Sequence, residues 1–239
     1  MSSKTRKNRF HHFFITRFSV LDVTKALDTN SPAYSETKWY LDDKSPESKE
    51  SYLFNPRRLS MKWKAFTMMT APSINNQSYK HYTWLIYTSN KLPELYKKRL
   101  ETYASQKIKI IYVNDFYEME TDLTKQLHGK KHYTTIRIDD DDGLHLGFLE
   151  QINKYACFQG SIISMPYGNL YTIRNNKIVY GSKVNKKCIA LGLTAIGFNI
   201  YSTGIHTEVH QHYNVIYDTM QNAYALFASK LTLTKRKFY

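Results

Sequence analysis

The stretch that decides the fold is residues 133–144, Tyr-Thr-Thr-Ile-Arg-Ile-Asp-Asp-Asp-Asp-Gly-Leu. Residues 133–138 are mostly apolar and β-branched, which is typical of a buried strand. This strand leads directly into four aspartates, and apolar residues recur with helical spacing over residues 144–155. The stretch therefore predicts a strand, an acidic turn and a helix.

The same alternation extends towards the amino terminus. Strands are predicted over residues 13–20, 82–88 and 108–113, and helices over residues 57–69, 93–105 and 118–127, with Pro72 ending the first helix. Strands that alternate with helices favour a parallel, doubly wound sheet, in which ligands bind beyond the carboxyl ends of the strands. The four aspartates lie at such an end.

The character of the chain changes after residue 160. Short strands are predicted at residues 161–165, 169–174 and 178–180, with a hairpin turn at Asn175 and Asn176. A helix is predicted over residues 215–231, and a long surface loop over residues 25–56. We expect one domain over residues 1–239, made of two halves at residues 1–155 and 156–239.

The composition limits the class of protein. The 239 residues carry 34 Lys and Arg against 20 Asp and Glu, a formal charge of +14, which attracts phosphorylated substrates, polyanions or anionic membrane surfaces. Cys157 and Cys188 lack metal-ligand spacing and are expected to be buried thiols. No stretch has the ~20 apolar residues of a membrane-spanning helix. We therefore expect a cytoplasmic protein, whose basic ends are either solvated tails or contacts with anionic lipid at the inner face of the membrane.

The acidic run needs a physical explanation, because adjacent carboxylates at ~4 Å repel by about 1–4 kcal/mol. A divalent cation would offset this repulsion, since Mg²⁺ and Mn²⁺ take hard oxygen ligands completed by phosphates. In a structural alternative, Asp142 caps the helix predicted to begin near Leu144. A calcium loop is excluded, because placing Gly143 at its sixth position puts Ile138 and Leu149 where oxygen ligands are required.

Several segments, read together, resemble one family. Residues 134–144 are similar to the Arg-Leu-Asp-x-Asp-Asp signature of the rhamnosyltransferase family, which are glycosyltransferases of the A fold. Residues 12–18 (His-Phe-Phe-Ile-Thr-Arg-Phe) resemble the family's first strand, residues 57–77 its first helix and turn, and residues 84–93 its second strand and the start of the next helix. The resemblance reaches from residue 12 to about residue 155.

The resemblance implies an A-type glycosyltransferase fold, with a Rossmann-like, mainly parallel sheet and a smaller mixed or antiparallel part. It also implies a nucleotide-sugar donor and a divalent ion, Mn²⁺ or Mg²⁺, at the Asp-rich motif. Asp142 is the first choice for the metal, Asp141 is expected at the ribose or the metal, Asp139 on the nucleotide side, and Asp140 in the variable slot. Residues 1–155 are then the nucleotide-sugar-binding half and residues 156–239 the acceptor-side half. Carried over in the same way, Arg17 is expected at the base or phosphates, and Arg137 on the nucleotide side, where it balances the aspartates by charge pairing. His210, paired with His206 or with His212, is expected to supply a late metal or diphosphate ligand, and Gln77 and Trp84 belong to the binding half.

Other roles stay open. The base that activates the acceptor is undecided among Asp115, Glu118, Glu120 and Glu208. The acceptor is expected to be a glycan or glycolipid, anionic or carried at a membrane. The alternatives are a basic nucleic-acid-binding protein, which the acidic run and scattered basic residues disfavour, and a metal-dependent phosphoesterase or nuclease. The combined family resemblance ranks both below a glycosyltransferase, and no nucleic-acid partner is expected.

Overall fold

A seven-stranded sheet forms the centre of the part of the chain that the computed structural model describes, residues 10–21, 46–204 and 206–227. Its strands, numbered along the chain, are β1 (His11–Phe18), β2 (Tyr82–Ser89), β3 (Ile108–Val113), β4 (Tyr133–Arg137), β6 (Ile162–Ser164), β9 (Thr194–Ile196) and β10 (Val215–Tyr217). They lie in the order β10-β6-β9-β4-β1-β2-β3, and only β9 runs against the others. The predicted α/β fold with a mainly parallel sheet is confirmed.

The sheet is buried on both faces. Phe14, Trp84 and Ile136 pack into one apolar cluster, whereas Phe13 and Leu85, one residue away along β1 and β2, pack into a second. Neighbouring residues of a strand point to opposite faces, so apolar residues at successive positions fill both layers. This is why these strands have continuous apolar sequences without alternation.

The helices that cover the sheet are short. They are α1 (Pro46–Leu53), α2 (Pro56–Ala65), α3 (Ala71–Asn75), α4 (Glu94–Glu101), α5 (Phe116–Leu127), α6 (Phe148–Asn153) and α7 (Val209–His212), with a 3₁₀ turn at Ile200–Thr203. Residues 46–53 were expected to be loop, and that part of the prediction is wrong. Residues 25–45 of the expected loop lie outside the described residues. No helix in the described ranges is long and apolar enough to cross a bilayer.

Pro72 does not end the helix as predicted. The backbone continues from α2 through a π-helical turn, Phe66–Thr70, into α3, where Pro72 lies in the first turn. The N–H of Ala71 donates to the carbonyl of Phe66, the wider i−5 bond of a π-turn. Because proline is tolerated in a first helical turn, this local widening lets the helix pass through Pro72.

A second, four-stranded sheet contains β5 (Gly143–Leu144), β7 (Tyr167–Arg174), β8 (Lys177–Asn185) and β11 (Tyr224–Phe227) in the order β5-β11-β7-β8. Strands β7 and β8 form the predicted hairpin, with Asn175 and Asn176 at φ of 48° and 58° in its turn. Asparagine tolerates this left-handed backbone better than most residues. The predicted smaller, mixed part is confirmed.

Two predicted helices are wrong because strand pairing overrides their apolar spacing. Leu144 pairs with Tyr224 in the second sheet, so the helix predicted from residue 144 begins only at Phe148. The region predicted as a helix over residues 215–231 instead forms β10 and β11, and residues 228–231 lie outside the described ranges. These pairings join segments about 50–85 residues apart, which local periodicity does not detect.

Candidate functional site

The four aspartates lie at the carboxyl end of two central parallel strands. In the register of β1 and β4, Ile15 is opposite Arg137, and the N–H of Ile138 donates to the carbonyl of Ile15 at 3.1 Å. The acidic run begins one residue later, and Arg17 follows Ile15 at the end of β1. The predicted position of the run, at a strand's carboxyl end in a parallel sheet, is confirmed.

Asp139 lies between two arginines. Its Oδ1 is 3.9 Å from Nη2 of Arg17 and 3.6 Å from Nε of Arg137. The ring of Tyr201, in the 3₁₀ turn, lies within cation–π distance of both guanidinium groups, at 5.2 Å for Arg17 and 5.5 Å for Arg137. Phe116, the first residue of α5, is also within cation–π distance of Arg17, at 5.4 Å, and its ring packs edge-on against that of Tyr201 at 5.8 Å. Aromatic packing thus fixes the cations that face Asp139.

Asp140 is turned into the protein. Its Oδ1 forms an ion pair and hydrogen bond with the ammonium group of Lys62 from α2. Its Oδ2 is buried and has no hydrogen-bond partner among the described residues. A buried carboxylate needs compensation for lost hydration, and Lys62 supplies a full positive charge. Asp140, which was expected to be the variable residue of the motif, is therefore the aspartate that connects the acidic run to α2.

Asp141 differs from the other three aspartates. It is half-buried, and no ion pair or hydrogen bond joins its carboxylate to another described residue. Burial raises its pKa to about 7, with Asp140 and Asp139 adding to the rise against the opposing charges of Lys62 and Arg58. Burial and adjacent like charges both disfavour the ionised form. Such a carboxylate would gain from an incoming cation.

Asp142 is buried and holds the last strand in place. Its Oδ1 accepts the backbone N–H of Phe227 in β11 at 2.8 Å, a contact across 85 residues of sequence. The alternative in which it caps the following helix is wrong, because α6 begins at Phe148 with Gly147 in the cap position. One carboxylate oxygen of Asp142, a predicted metal ligand, is therefore hydrogen-bonded to the second sheet.

The described residues contain no group of three or more His, Cys, Asp or Glu side chains placed to hold a metal by themselves. Mg²⁺ and Mn²⁺ sites that use substrate phosphates need only one or two protein carboxylates. Asp141, which is half-buried, has a raised pKa and makes no ion pair with another described residue, fits such a site together with the adjacent Asp142. His210 is exposed on α7, no described contact links it to the aspartates, and its metal role stays a prediction.

Other predicted residues have structural contacts. Asp115 caps α5 by accepting the N–H of Glu118 at 2.8 Å, and Glu118 in turn accepts the N–H of Asn114 at 2.7 Å. Glu120 lies further along α5, and Glu208 is exposed just before α7. Two of the four candidate bases, Asp115 and Glu118, therefore bond to backbone N–H groups at the start of α5. The residue that activates the acceptor stays undecided.

Gln77 and Trp84, carried over from the resemblance, are buried in the structure of the binding half. Gln77 Nε2 donates to the carbonyls of Ser73 and His145, and its Oε1 accepts the N–H of Leu149. Trp84 donates from Nε1 to Thr16 Oγ1 at 2.9 Å inside the sheet. The expectation of two buried thiols is half right, because Cys188 is buried but Cys157 is exposed.

Three residues of the site were missed by sequence reasoning. Arg58 and Lys62 are four apart on α2 and both act electrostatically on Asp141. The sequence did contain a signal for these two residues, since two positive charges four residues apart lie on one face of the predicted helix 57–69. Tyr201 had no such signal, because the 3₁₀ turn that carries it meets β4 only in the tertiary structure.

Doubly wound α/β proteins bind nucleotide ligands beyond the carboxyl ends of their central parallel strands. In this chain, acidic and basic side chains meet at that edge of the sheet. Residues 11–225 match the family described as "Putative rhamnosyl transferase", and the chain belongs to that family. This confirms the predicted family and the class of enzyme that the family describes, a glycosyltransferase. A comparison with curated protein sequences gave no match.

Solved structures of S. aureus TarS 1-349 have a similar fold. The protein alone aligns with a TM-score of 0.51 at 6% identity, covering 92% of this chain and 60% of TarS 1-349. The complex with UDP-GlcNAc gives 0.53 at 7%, covering 93% and 59%, and the complex with UDP gives 0.51 at 7%, covering 92% and 61%. The chain thus spans about three fifths of the TarS chains, and the likeness shows the shared glycosyltransferase fold.

Proposed function

We propose that this protein transfers a sugar from a nucleotide-sugar donor to a hydroxyl group of a glycan or glycolipid. The observation that carries the proposal is Asp141, a half-buried carboxylate of raised pKa just beyond the carboxyl end of β4, with Asp139 and Asp140 on one side of the charge balance and Lys62 and Arg58 on the other. Family membership and the fold shared with a protein crystallised with UDP-GlcNAc support a nucleotide-sugar donor. Rhamnose in the family's description names one candidate sugar.

Basic residues beside the aspartates supply affinity for a diphosphate. Arg17 and Arg137 lie beside Asp139, and Arg58 and Lys62 act on Asp141 from α2. Arginine forks bind phosphate oxygens bidentately. We assign Arg17 and Arg137 to the nucleotide and its phosphates, and Asp139 and Asp141 to the ribose side of the same ligand.

Asp141 and Asp142 would hold a divalent cation, Mn²⁺ or Mg²⁺, together with the donor's phosphates. Bound there, the ion supplies neutralisation of the charge that grows on the departing diphosphate. Asp141 is our first choice of ligand, because Asp142 already accepts the N–H of Phe227. His210 would complete the site only if α7 approaches the aspartates when donor is bound.

The acceptor belongs to the same proposal. The formal charge of +14 favours an anionic acceptor or one carried at an anionic membrane surface, such as a growing glycan on a lipid carrier. A place in polysaccharide biosynthesis at the cytoplasmic face of the membrane fits both the charge and the donor.

Thermal unfolding with UDP and UDP-GlcNAc, each with and without Mn²⁺, tests the donor site. A ligand at 100 times its Kd stabilises the native state by ~2.7 kcal/mol, which raises the Tm of a chain of this size by roughly 5–10 °C. We expect that shift with Mn²⁺, and expect Asp141→Asn to abolish it. Glu150→Gln, an exposed carboxylate-to-amide change outside the site, is the control. A panel of other nucleotide sugars extends the screen if the uridine compounds give no shift, and failure of the whole panel would refute the proposal.

A further inference from the structure

The β7–β8 hairpin, residues 167–185, projects as the free edge of the second sheet. Strand β8 is outermost in the order β5-β11-β7-β8, and nearly all of its residues are exposed. Strand β8 pairs with β7 from Lys177 to Asn185, with one register shift opposite Leu170 and Tyr171, so it is an ordered strand. The hydrogen bond between Lys64 and Asn176 ties its turn to the end of α2.

Three consecutive apolar side chains near the turn are exposed. Ile178, Val179 and Tyr180 have exposed fractions of 42%, 38% and 54%. Adjacent residues of a strand point to opposite faces, so both faces of the hairpin tip present apolar surface. Tyr217, which is also exposed, lies near the base of the hairpin with the Lys187 ammonium 5.2 Å from its ring. The exposed apolar residues at the hairpin tip, with this aromatic ring at its base, mark an interaction surface along the hairpin.

The charge of this segment has a single sign. No Asp or Glu occurs between Glu150 and Glu208, whereas the same span contains Lys154, Arg174, Lys177, Lys183, Lys186 and Lys187. Arg174, Lys177 and Lys183 make no ion pair with any described residue. Their charge is therefore available to an anionic partner.

We propose that the β7–β8 hairpin docks this protein on the surface of a membrane that contains anionic lipid. Lysine and arginine beside an anionic leaflet provide attraction, while tyrosine and aliphatic side chains enter the headgroup region. This combination fits a lipid surface better than a nucleic acid, whose backbone offers no apolar phase for Ile178 and Val179. Lysines on the edge strand also disfavour pairing with β8 of a second copy.

The proposal extends the membrane part of the proposed function and uses a surface separate from the aspartates. The experiment is co-sedimentation of the full chain with two kinds of vesicle. One is pure phosphatidylcholine, and the other contains roughly 30 mole per cent phosphatidylglycerol, which gives its surface a negative charge like that of a cytoplasmic leaflet. We compare a charge variant, Lys177→Gln with Lys183→Gln, and an apolar variant, Ile178→Ser with Tyr180→Ser. Their matched controls are Lys98→Gln with Lys125→Gln, and Leu95→Ser with Tyr117→Ser, all exposed and outside the hairpin.

Each lysine near the surface contributes about five-fold in partition coefficient, so the charge variant should lose roughly 30-fold on anionic vesicles. The apolar variant should lose binding as well, and each control should stay within about three-fold of wild type. Binding that is equal for neutral and anionic vesicles, or that falls as much in the controls, would overturn the proposal. So would a wild-type dimer in size-exclusion chromatography that the hairpin variants disrupt while vesicle binding is unchanged.

Two measurements separate this proposal from the donor site. The thermal shift with UDP-GlcNAc and Mn²⁺ should be the same in the hairpin variants as in wild type. If Asp141→Asn removes that shift and the hairpin variants bind vesicles normally, only the docking proposal fails. If the hairpin variants lose vesicle binding but no nucleotide sugar shifts the wild type, only the transferase proposal fails. A duplex DNA that binds wild type in place of anionic vesicles, with the same loss in the charge variant, would assign the hairpin to nucleic acid instead.

Discussion

Lys62 and Asp140 form an ion pair between helix α2 and the acidic run, with side chains only 12% and 1% exposed. It positions the carboxyl end of β4 against the helix that also carries Arg58. Removing one partner of a buried pair leaves the other charge without compensation.

Asp140→Asn is therefore expected to destabilise the protein by about 3 kcal/mol. The double variant Lys62→Met with Asp140→Leu should recover most of that loss, because two apolar groups need no compensation. Urea unfolding of the three proteins measures both effects. A free energy of unfolding for Asp140→Asn within ~0.5 kcal/mol of wild type would show that the pair does not hold the run. Metal-supported donor binding should be reduced less by Asp140→Asn than by Asp141→Asn.

Asp141 should make stability depend on pH. The Asp141 carboxyl keeps its proton up to a pKa of about 7 in the folded state, whereas it loses the proton near its ordinary pKa of 3.8 in the unfolded state. Between these values the folded state binds more protons, so the contribution of Asp141 to stability falls as pH rises. Asp141→Asn does not titrate and should gain on the order of 2 kcal/mol relative to wild type from pH 5 to pH 8, allowing for partial exposure.

Urea unfolding in the presence of EDTA at both pH values measures this gain. Glu150→Gln should show no such change between pH 5 and pH 8. A constant difference between Asp141→Asn and wild type at the two pH values would mean that the carboxylate is not perturbed.

Asp142 has two separable roles that two substitutions distinguish. Asp142→Ala removes the acceptor of the Phe227 N–H and should cost about 1–3 kcal/mol. Asp142→Asn keeps an oxygen for that N–H but removes the charge, so it should fold with a loss below ~1 kcal/mol and bind Mn²⁺-supported UDP-GlcNAc more weakly. Thermal unfolding and calorimetric titration give the two readouts. Undiminished donor binding by Asp142→Asn would leave Asp142 with the structural role alone.

The histidines at the amino end of β1 should make the protein acid-sensitive. Burial lowers the pKa of His12 to about 3 and that of His11 to about 4, with the neighbouring histidines adding to both effects. The unfolded state takes up protons below pH ~6.5 that the folded state does not, so stability is lost as pH falls from 6.5 towards these values.

His12→Gln can retain the hydrogen bond to Thr134 without titrating, and should reduce the loss between pH 6.5 and pH 4 by roughly 3 kcal/mol. His128→Gln, at an exposed position after α5, is the control. Urea unfolding measures the free energy of unfolding of each protein across this pH range. Parallel curves of this free energy against pH for wild type and His12→Gln would contradict a lowered pKa for His12.

The sequence by itself determined the central part of the fold and the position of the acidic run. Residues 13–15, 84–87 and 133–136 are apolar or β-branched at nearly every position because their strands are buried on both faces, and such continuous runs are visible in one dimension. The aspartates follow one of these strands directly, so their place at its carboxyl end follows from chain connectivity. The family resemblance rested on the same segments.

Only the tertiary structure decided what each aspartate does. Asp139, Asp140, Asp141 and Asp142 are chemically identical in sequence, and they differ because Arg17, Lys62 and Phe227 reach three of them from distant elements. The short strands β5, β10 and β11 likewise depend on partners far along the chain, and their local apolar spacing indicated helices instead. Burial, charge compensation and strand pairing depend on which residues are neighbours in space. Residues far apart in sequence become neighbours only in the folded chain, so local sequence patterns do not reveal these contacts.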